Sequence, residues 1–108
     1  MTMSADLIDA AAHRFALLGD PTRLRMMNAL MESHALSVGE VARAVHTSRF
    51  NASAHLNRLA VAGLLARRRA GTTIYYRIND VNLPRICDWM CDSLRDRARS
   101  LAGERLTS

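Results

Sequence analysis

A chain of 108 residues with a formal net charge of +5 has one domain as its default. An apolar share of 49% is ordinary for a globular fold, but a core this small is marginal alone, so pairing with a second copy would help it. No apolar run reaches membrane-spanning length and the opening MTMSADL has no signal-peptide pattern, so a cytoplasmic chain with no membrane partner is expected, its two Cys as thiols.

The charge is unevenly placed. Between Val41 and Asn79 there are seven Arg and no Asp or Glu, while the ten acids fall outside that stretch among eight further Arg. A positive field confined to the middle of the chain is the footprint of a nucleic-acid-binding surface. A merely solvated basic face is the plain alternative.

In chain order, Ala5 to Leu18 reads as a helix, with Leu7, Ile8, Ala11, Phe15 and Leu18 at helical spacing and Gly19 as its stop. Asp20-Pro21 restarts a helix carrying Leu24, Met27, Leu30 and Met31 as its stripe, with Arg23 and Arg25 off it. Ser37-Val38-Gly39-Glu40 has the capping-box spacing and opens a short helix over Val38 to Val45. His46-Thr47-Ser48 breaks that helix, and Ser48 caps another. This one lies within Thr47 to Leu64, with Ala52, His55, Leu56, Leu59 and Ala62 down one side. Two short helices joined by a turn of about three or four residues make a helix-turn-helix.

Leu64 to Arg69 and Thr73 to Ile78 are strand-like, and Ala70-Gly71-Thr72 reads as the hairpin turn between them. A helix-turn-helix followed by a hairpin is a winged helix. Asn79 to Asn82 is a turn and cap region. Leu83 to Leu101 is then the longest helix, and Gly103 onward is expected to fray. Leu83, Cys87, Met90, Leu94, Ala98 and Leu101 approach a coiled-coil seam, opposite the charged Asp88, Asp92, Arg95, Asp96 and Arg99. The seam is expected to bury itself against a second subunit, while Trp89, off the seam, is expected to pack between the last helix and its own domain. The fold class is therefore mainly α (α+β): four helices, a two-stranded wing and a fifth helix. Residues 1–108 form one DNA-binding domain, with 81–102 as the dimerisation helix of a homodimer joined through its terminal helices.

Four segments in order resemble the ArsR/SmtB-type bacterial repressors. Leu17-Leu18-Gly19-Asp20-Pro21-Thr22-Arg23-Leu24-Arg25 is similar to their opening L-A-D-P-T-R-L-R, and Leu36 to Ala42 to their LSVGELA. Ser53 to Leu64 resembles S-x-HL-x-x-L-x-x-AGL, and Arg69 to Arg77 resembles the R-x-G-x-x-x-YY-x of the wing. The resemblance covers nearly the whole chain. It implies a homodimeric winged-helix repressor that leaves a double-stranded DNA operator when an inducer binds. There are two departures: Ala54 stands where the family usually has Arg, Gln or His, and Phe50 is large for a position usually small.

A helix in the major groove offers its first residues to base edges. Here those are Arg49, Phe50, Asn51 and Ser53, with Arg suited to guanine and Asn to adenine. Asn57, further along the same helix, is left with Arg49 and Asn51 to compensate for Ala54, and Ser48 and Arg58 are placed to hold phosphates, which position without specifying. His55 suits either a phosphate contact or a structural bond to a neighbouring helix. Arg67, Arg68, Arg69, Thr72 and Arg77 of the wing are expected on flanking phosphates or in the minor groove.

The sensing side is less legible. The Cys-Val-Cys of the family's arsenic and cadmium sensors is replaced here at Ser37 and Gly39. Of its zinc site only Asp80 remains, with Asn82, Ser93 and Asp96 at the other positions. The second helix has Met26, Met27 and Met31 but no Cys for the family's persulfide and oxidant switch. What remains is Cys87 and Cys91, four apart on one side of a helix. They read as ligands for As(III) or another thiophilic metal ion, as a redox pair acting through a Cys87 disulfide across the dimer, or as small hydrophobes in a buried interface. His13, His34 and His46 are scattered and read as surface or capping residues. No phosphate-binding Gly loop or nucleophile motif is present, so an enzyme is not expected. The rival class is a winged helix that binds an acidic protein partner.

Overall fold

The computed structural model describes the backbone of residues 2–107 and the side chains of residues 2–103. Helix α1 spans Ala5–Leu18, capped by Ser4, whose hydroxyl accepts from the Leu7 amide at 3.2 Å. Helix α2, Pro21–Glu32, starts on the expected Asp-Pro pair: the Asp20 carboxylate accepts from the Arg23 amide at 2.9 Å, and Pro occupies the position whose amide has no partner to lose. Helix α3, Val38–Ala44, carries the full reciprocal capping box of Ser37 and Glu40. Helix α4, Arg49–Val61, is capped by Ser48.

The turn between α3 and α4 is tightened by a bond from the Thr47 amide to the Ala42 carbonyl and places His46 at a φ of 56°. A side chain rarely adopts that region, so the sharp exit is held by the surrounding structure rather than by local preference.

Leu36–Ser37 form a short strand β1, followed in the sheet by β2 (Leu65–Ala70) and β3 (Thr73–Ile78), in the order β1-β3-β2. All pairings are antiparallel, with Leu36 opposite Tyr76 and Arg67 opposite Tyr76 on the other side. The wing is thus a three-stranded sheet where two strands were expected. Two residues are too few to show alternation in sequence; they extend because the open edge of β3 offers unpaired backbone groups. The hairpin turns at Gly71, whose φ of 63° suits glycine.

The core lies where α2, α3, α4 and the sheet converge. Met26, Met27, Leu30, Val41, Leu56, Leu59 and Tyr76 are fully buried there. The same cluster contains Leu83, the first residue of helix α5 (Leu83–Thr107). This corrects one expectation: Leu83 anchors α5 to its own domain and is not free for a partner subunit. Cys87, one turn on, is half-buried against the same core, and beyond it α5 leaves the domain. A second correction concerns Trp89, which is 65% exposed. It stands two residues past Cys87, about 200° round the helix, and so points away from the core that Cys87 touches. A third is length, since α5 does not fray at Gly103 but continues as helix to Thr107. Helix α1 turns much of its stripe outward: Leu7, Ile8 and Phe15 are all half or more exposed, while Leu17 is buried in the core and Leu18 packs against it.

Candidate nucleic-acid interface

Helix α4 sits on the core through Ala52, Leu56 and Leu59, all without exposed surface. Those three fix its rotation and decide which side chains reach outward. Ser48, Arg49, Phe50, Ser53, Asn57 and Arg58 are exposed, and Asn51 and His55 are half-buried. The helix carries no acid in its first turn and none along its length.

Asn51 has a local commitment. Its amide nitrogen donates to the Thr47 hydroxyl at 2.8 Å, and its backbone amide donates to Ser48. One donor of the side chain is therefore spent on holding the turn. Arg49 folds back over α3, where its guanidinium lies 3.7 Å from the position a Cβ on Gly39 would take. Gly39 is buried, and its lack of a side chain leaves room for that approach.

His55 is drawn into the scaffold. Its Nδ1 accepts from Nε of Arg23 at 3.2 Å, while Nη1 of Arg23 reaches the Leu17 carbonyl at 3.4 Å. Asp20 caps the same helix start, and the bond from the Arg23 backbone amide, helped by the nearby positive charge, holds its carboxyl below the ordinary value. One guanidinium thus ties the end of α1 and the start of α2 to the middle of α4. Sequence reasoning placed Arg23 off the apolar stripe and within the family-like opening segment, with no partner assigned. A partner 32 residues away leaves no periodic signal, so the sequence could offer a bond from His55 to a neighbouring helix as one of two readings but could not name Arg23 as the partner.

The wing brings up the second group of cations. Arg67, Arg68, Arg69, Thr72 and Arg77 are all exposed on β2, β3 and their turn. Several are held in place: Arg67 donates to the Tyr76 hydroxyl at 3.3 Å, Arg68 lies 5.3 Å from the centre of the Tyr75 ring, and Arg69 bonds the Gly71 carbonyl at 3.1 Å. Between wing and helix is a hollow lined by Phe50, Ser53, Ala54, Asn57, Arg67 and Tyr76. Tyr76 joins the site as a residue the sequence did not single out. Its ring is in the core and its hydroxyl orients Arg67.

The arrangement is a solvent-facing helix beside an arginine-bearing hairpin, with no carboxylate on either. The family model described as "Bacterial regulatory protein, arsR family" matches residues 20–67, which run from the start of α2 into the wing. The "Transcriptional repressor SmtB homolog" of Synechocystis is 33% identical over 94 residues, covering 87% of this chain and 70% of its own length. This chain belongs to the arsR family. It is a DNA-binding transcriptional repressor of winged helix-turn-helix form, not an enzyme. Among solved structures, the AntR antimony-specific transcriptional repressor superposes with a TM-score of 0.81 at 28% identity, over 92% of this chain and 89% of that one. The homodimeric winged helix-turn-helix domain of a possible ArsR-family regulator from Mycobacterium bovis gives 0.80 at 28% identity, covering 89% and 88%. No helix among the described residues is long and apolar enough to cross a membrane.

Away from the DNA-facing side of this ArsR-family chain, Cys87 and Cys91 line one groove of about 490 Å³ with Leu24, Asn28, Met31 and Val45. Its walls are α2, the end of α3 and the root of α5. Burial pushes the Cys87 thiol above its ordinary pKa, and the neighbouring Cys91 and Asp88 push the same way. Among the described residues, no three of His, Cys, Asp and Glu gather closely enough to hold a metal ion. Asp80, the remnant of the family's zinc pattern, instead accepts from Arg14 at 3.3 Å and from the Asn82 amide at 2.9 Å, just ahead of α5.

Proposed function

We propose that this repressor binds an inverted-repeat operator as a homodimer, with α4 of each subunit in the major groove and the wings on flanking phosphates. The observation that carries the reading is the acid-free surface formed by α4 and the wing. It presents Arg49, Arg58, Arg67, Arg68, Arg69 and Arg77 and opposes them with no carboxylate from Val41 to Asn79. In this reading Ser48 and Arg58 position the helix on the backbone, and Arg49, Phe50, Asn51, Ser53 and Asn57 face the bases. His55 is held by Arg23 and takes the structural role left open by its sequence.

Pairing through the terminal helices is supported by what α1 and α5 leave uncovered. Phe15, Met90, Leu94 and Leu101 are 64%, 47%, 59% and 41% exposed, an expensive arrangement for a solitary chain. Ala98 lies exposed among them, and the Mycobacterium bovis relative is a homodimer. The two reading helices then fall about 34 Å apart, one turn of DNA.

The effector reading places a thiophilic ion, As(III) or a similar metalloid, on Cys87 and Cys91. It is supported by the shared groove of the two thiols and by the antimony specificity of the AntR relative. The alternative is a redox switch on the same two thiols; both readings draw on the thiolate, which burial of Cys87 disfavours. A ligand in that groove would press on the root of α5 and so alter the spacing of the two reading helices.

The test is a fluorescence-anisotropy titration of DNA upstream of the protein's own gene. With about four phosphates neutralised per subunit, log K should fall against log salt with a slope near −7. Binding indifferent to salt would overturn the DNA reading.

A further inference from the structure

We infer that Phe50 reads thymine: its ring meets the C5-methyl group of a T in each half-site and makes this residue a determinant of operator choice. The inference rests on the DNA-binding reading and goes beyond it. Phe50 is 88% exposed, more than any other large apolar side chain among the described residues. It stands one residue into α4, on the side turned away from Ala52, Leu56 and Leu59.

The neighbours leave the ring bare. Ser53 and Ala54, three and four residues on, are the side chains that would cover it on a helix, and both are small. Two hollows flank the ring, one shared with Asn57, Arg67 and Tyr76, the other with Val38, Arg49 and Thr72. Phe50 is thus the ridge between two arginine-edged depressions, with no acid in either. A lone apolar ring among cations does not suit an apolar protein partner, which would need a continuous patch. It does suit the one apolar feature of the major groove, the thymine methyl, reached by a helix whose flanking Arg and Asn side chains meet polar edges and phosphate. The partial commitment of Asn51 to Thr47 moves the reading further toward Phe50.

The experiment uses the full chain. Operators are selected from random-sequence duplexes, and each T of the half-site is replaced in turn by deoxyuridine, which removes only the methyl group. Burying one methyl group corresponds to about fourfold in affinity per half-site, or about fifteenfold with both half-sites changed. The expected result is one position where the wild type shows that loss and Phe50→Ala does not. Phe50→Ala should melt as the wild type does, because the ring packs on little of its own chain. Loss at no thymine, or an equal loss in Phe50→Ala, would overturn the inference while leaving DNA binding intact. Failure to enrich any sequence would overturn both readings together.

Discussion

The tie from Arg23 to His55 gives a prediction with a worked magnitude. Arg23→Met keeps the length of the stem but removes both side-chain bonds, one to His55 at 3.2 Å and one to the Leu17 carbonyl at 3.4 Å. Both are long, and the residue is only half-buried, so each is worth about 0.5–1 kcal/mol net rather than the upper range for charged donors. The variant should lose about 1–2 kcal/mol, and a domain of this size should melt roughly 4–8 °C lower for each kcal/mol. His55→Ala removes one of the two bonds and should lose about 0.5–1 kcal/mol through it, and the double variant should cost less than the sum by about 0.5–1 kcal/mol, because the two side chains share that bond. Chemical denaturation of the four proteins measures the cycle. DNA titrations across salt supply the second readout. Both single variants should bind the operator more weakly with the same salt slope, since neither group is assigned to phosphate. An additive cycle would refute the tie. A slope shallower by about 1.8 in Arg23→Met, one phosphate lost per subunit, would show that the guanidinium serves DNA instead.

Four further outcomes are expected. Gly63 has a φ of 82°, and a Cβ there would meet only the Arg14 guanidinium at an ordinary 3.6 Å, so Gly63→Ala should cost the backbone penalty alone, about 1–2 kcal/mol by thermal melting, and Gly63→Asn less. Bonds from Ser37 hold the Glu40 carboxyl below the ordinary glutamate value of 4.5. Its capping contribution is therefore complete above that value and is lost as pH falls through the lower folded value, and Glu40→Gln should flatten the acid limb of a melting-temperature profile. With its raised pKa and half-buried sulfur, Cys87 should react with a thiol reagent near pH 7.5 more slowly than Cys91, as single Cys→Ser variants would separate; if the metalloid reading holds, arsenite should release the wild type from DNA but not the double variant.

The parts of this fold that the sequence displays are those set by neighbours in the chain. Ser48, Asp20-Pro21 and the Ser37–Glu40 box act over three residues, so each helix start could be placed from local chemistry. The same holds for the wing, where Gly71 marks the turn and two tyrosines mark the strand. What could not be read was anything fixed by approach in space. Leu83 and Met90 occupy the same seam on paper, yet only Leu83 lies over the core, because α5 diverges from the domain after its first turns. Strand β1 exists because β3 has an open edge, and the role of His55 depends on an arginine from another helix. The basic surface was legible as a run without acids. That Asn51 is partly occupied and Phe50 stands clear needed the turn and the rotation of α4.

The departure of α5 from the domain has a consequence for how the repressor behaves at low copy number. The chain has a radius of gyration of 16.9 Å and a long dimension of 61 Å, against about 13 Å for the radius of a compact chain of this length. In the homodimer proposed above, a protomer so extended would gain much of its stability from its twin, and mass action would then set both folding and occupancy. Its melting temperature should rise with its own concentration. Operator filling should climb with the square of the monomer level when dimers are scarce, so a modest drop in synthesis would clear the promoter more sharply than dilution of a preformed dimer.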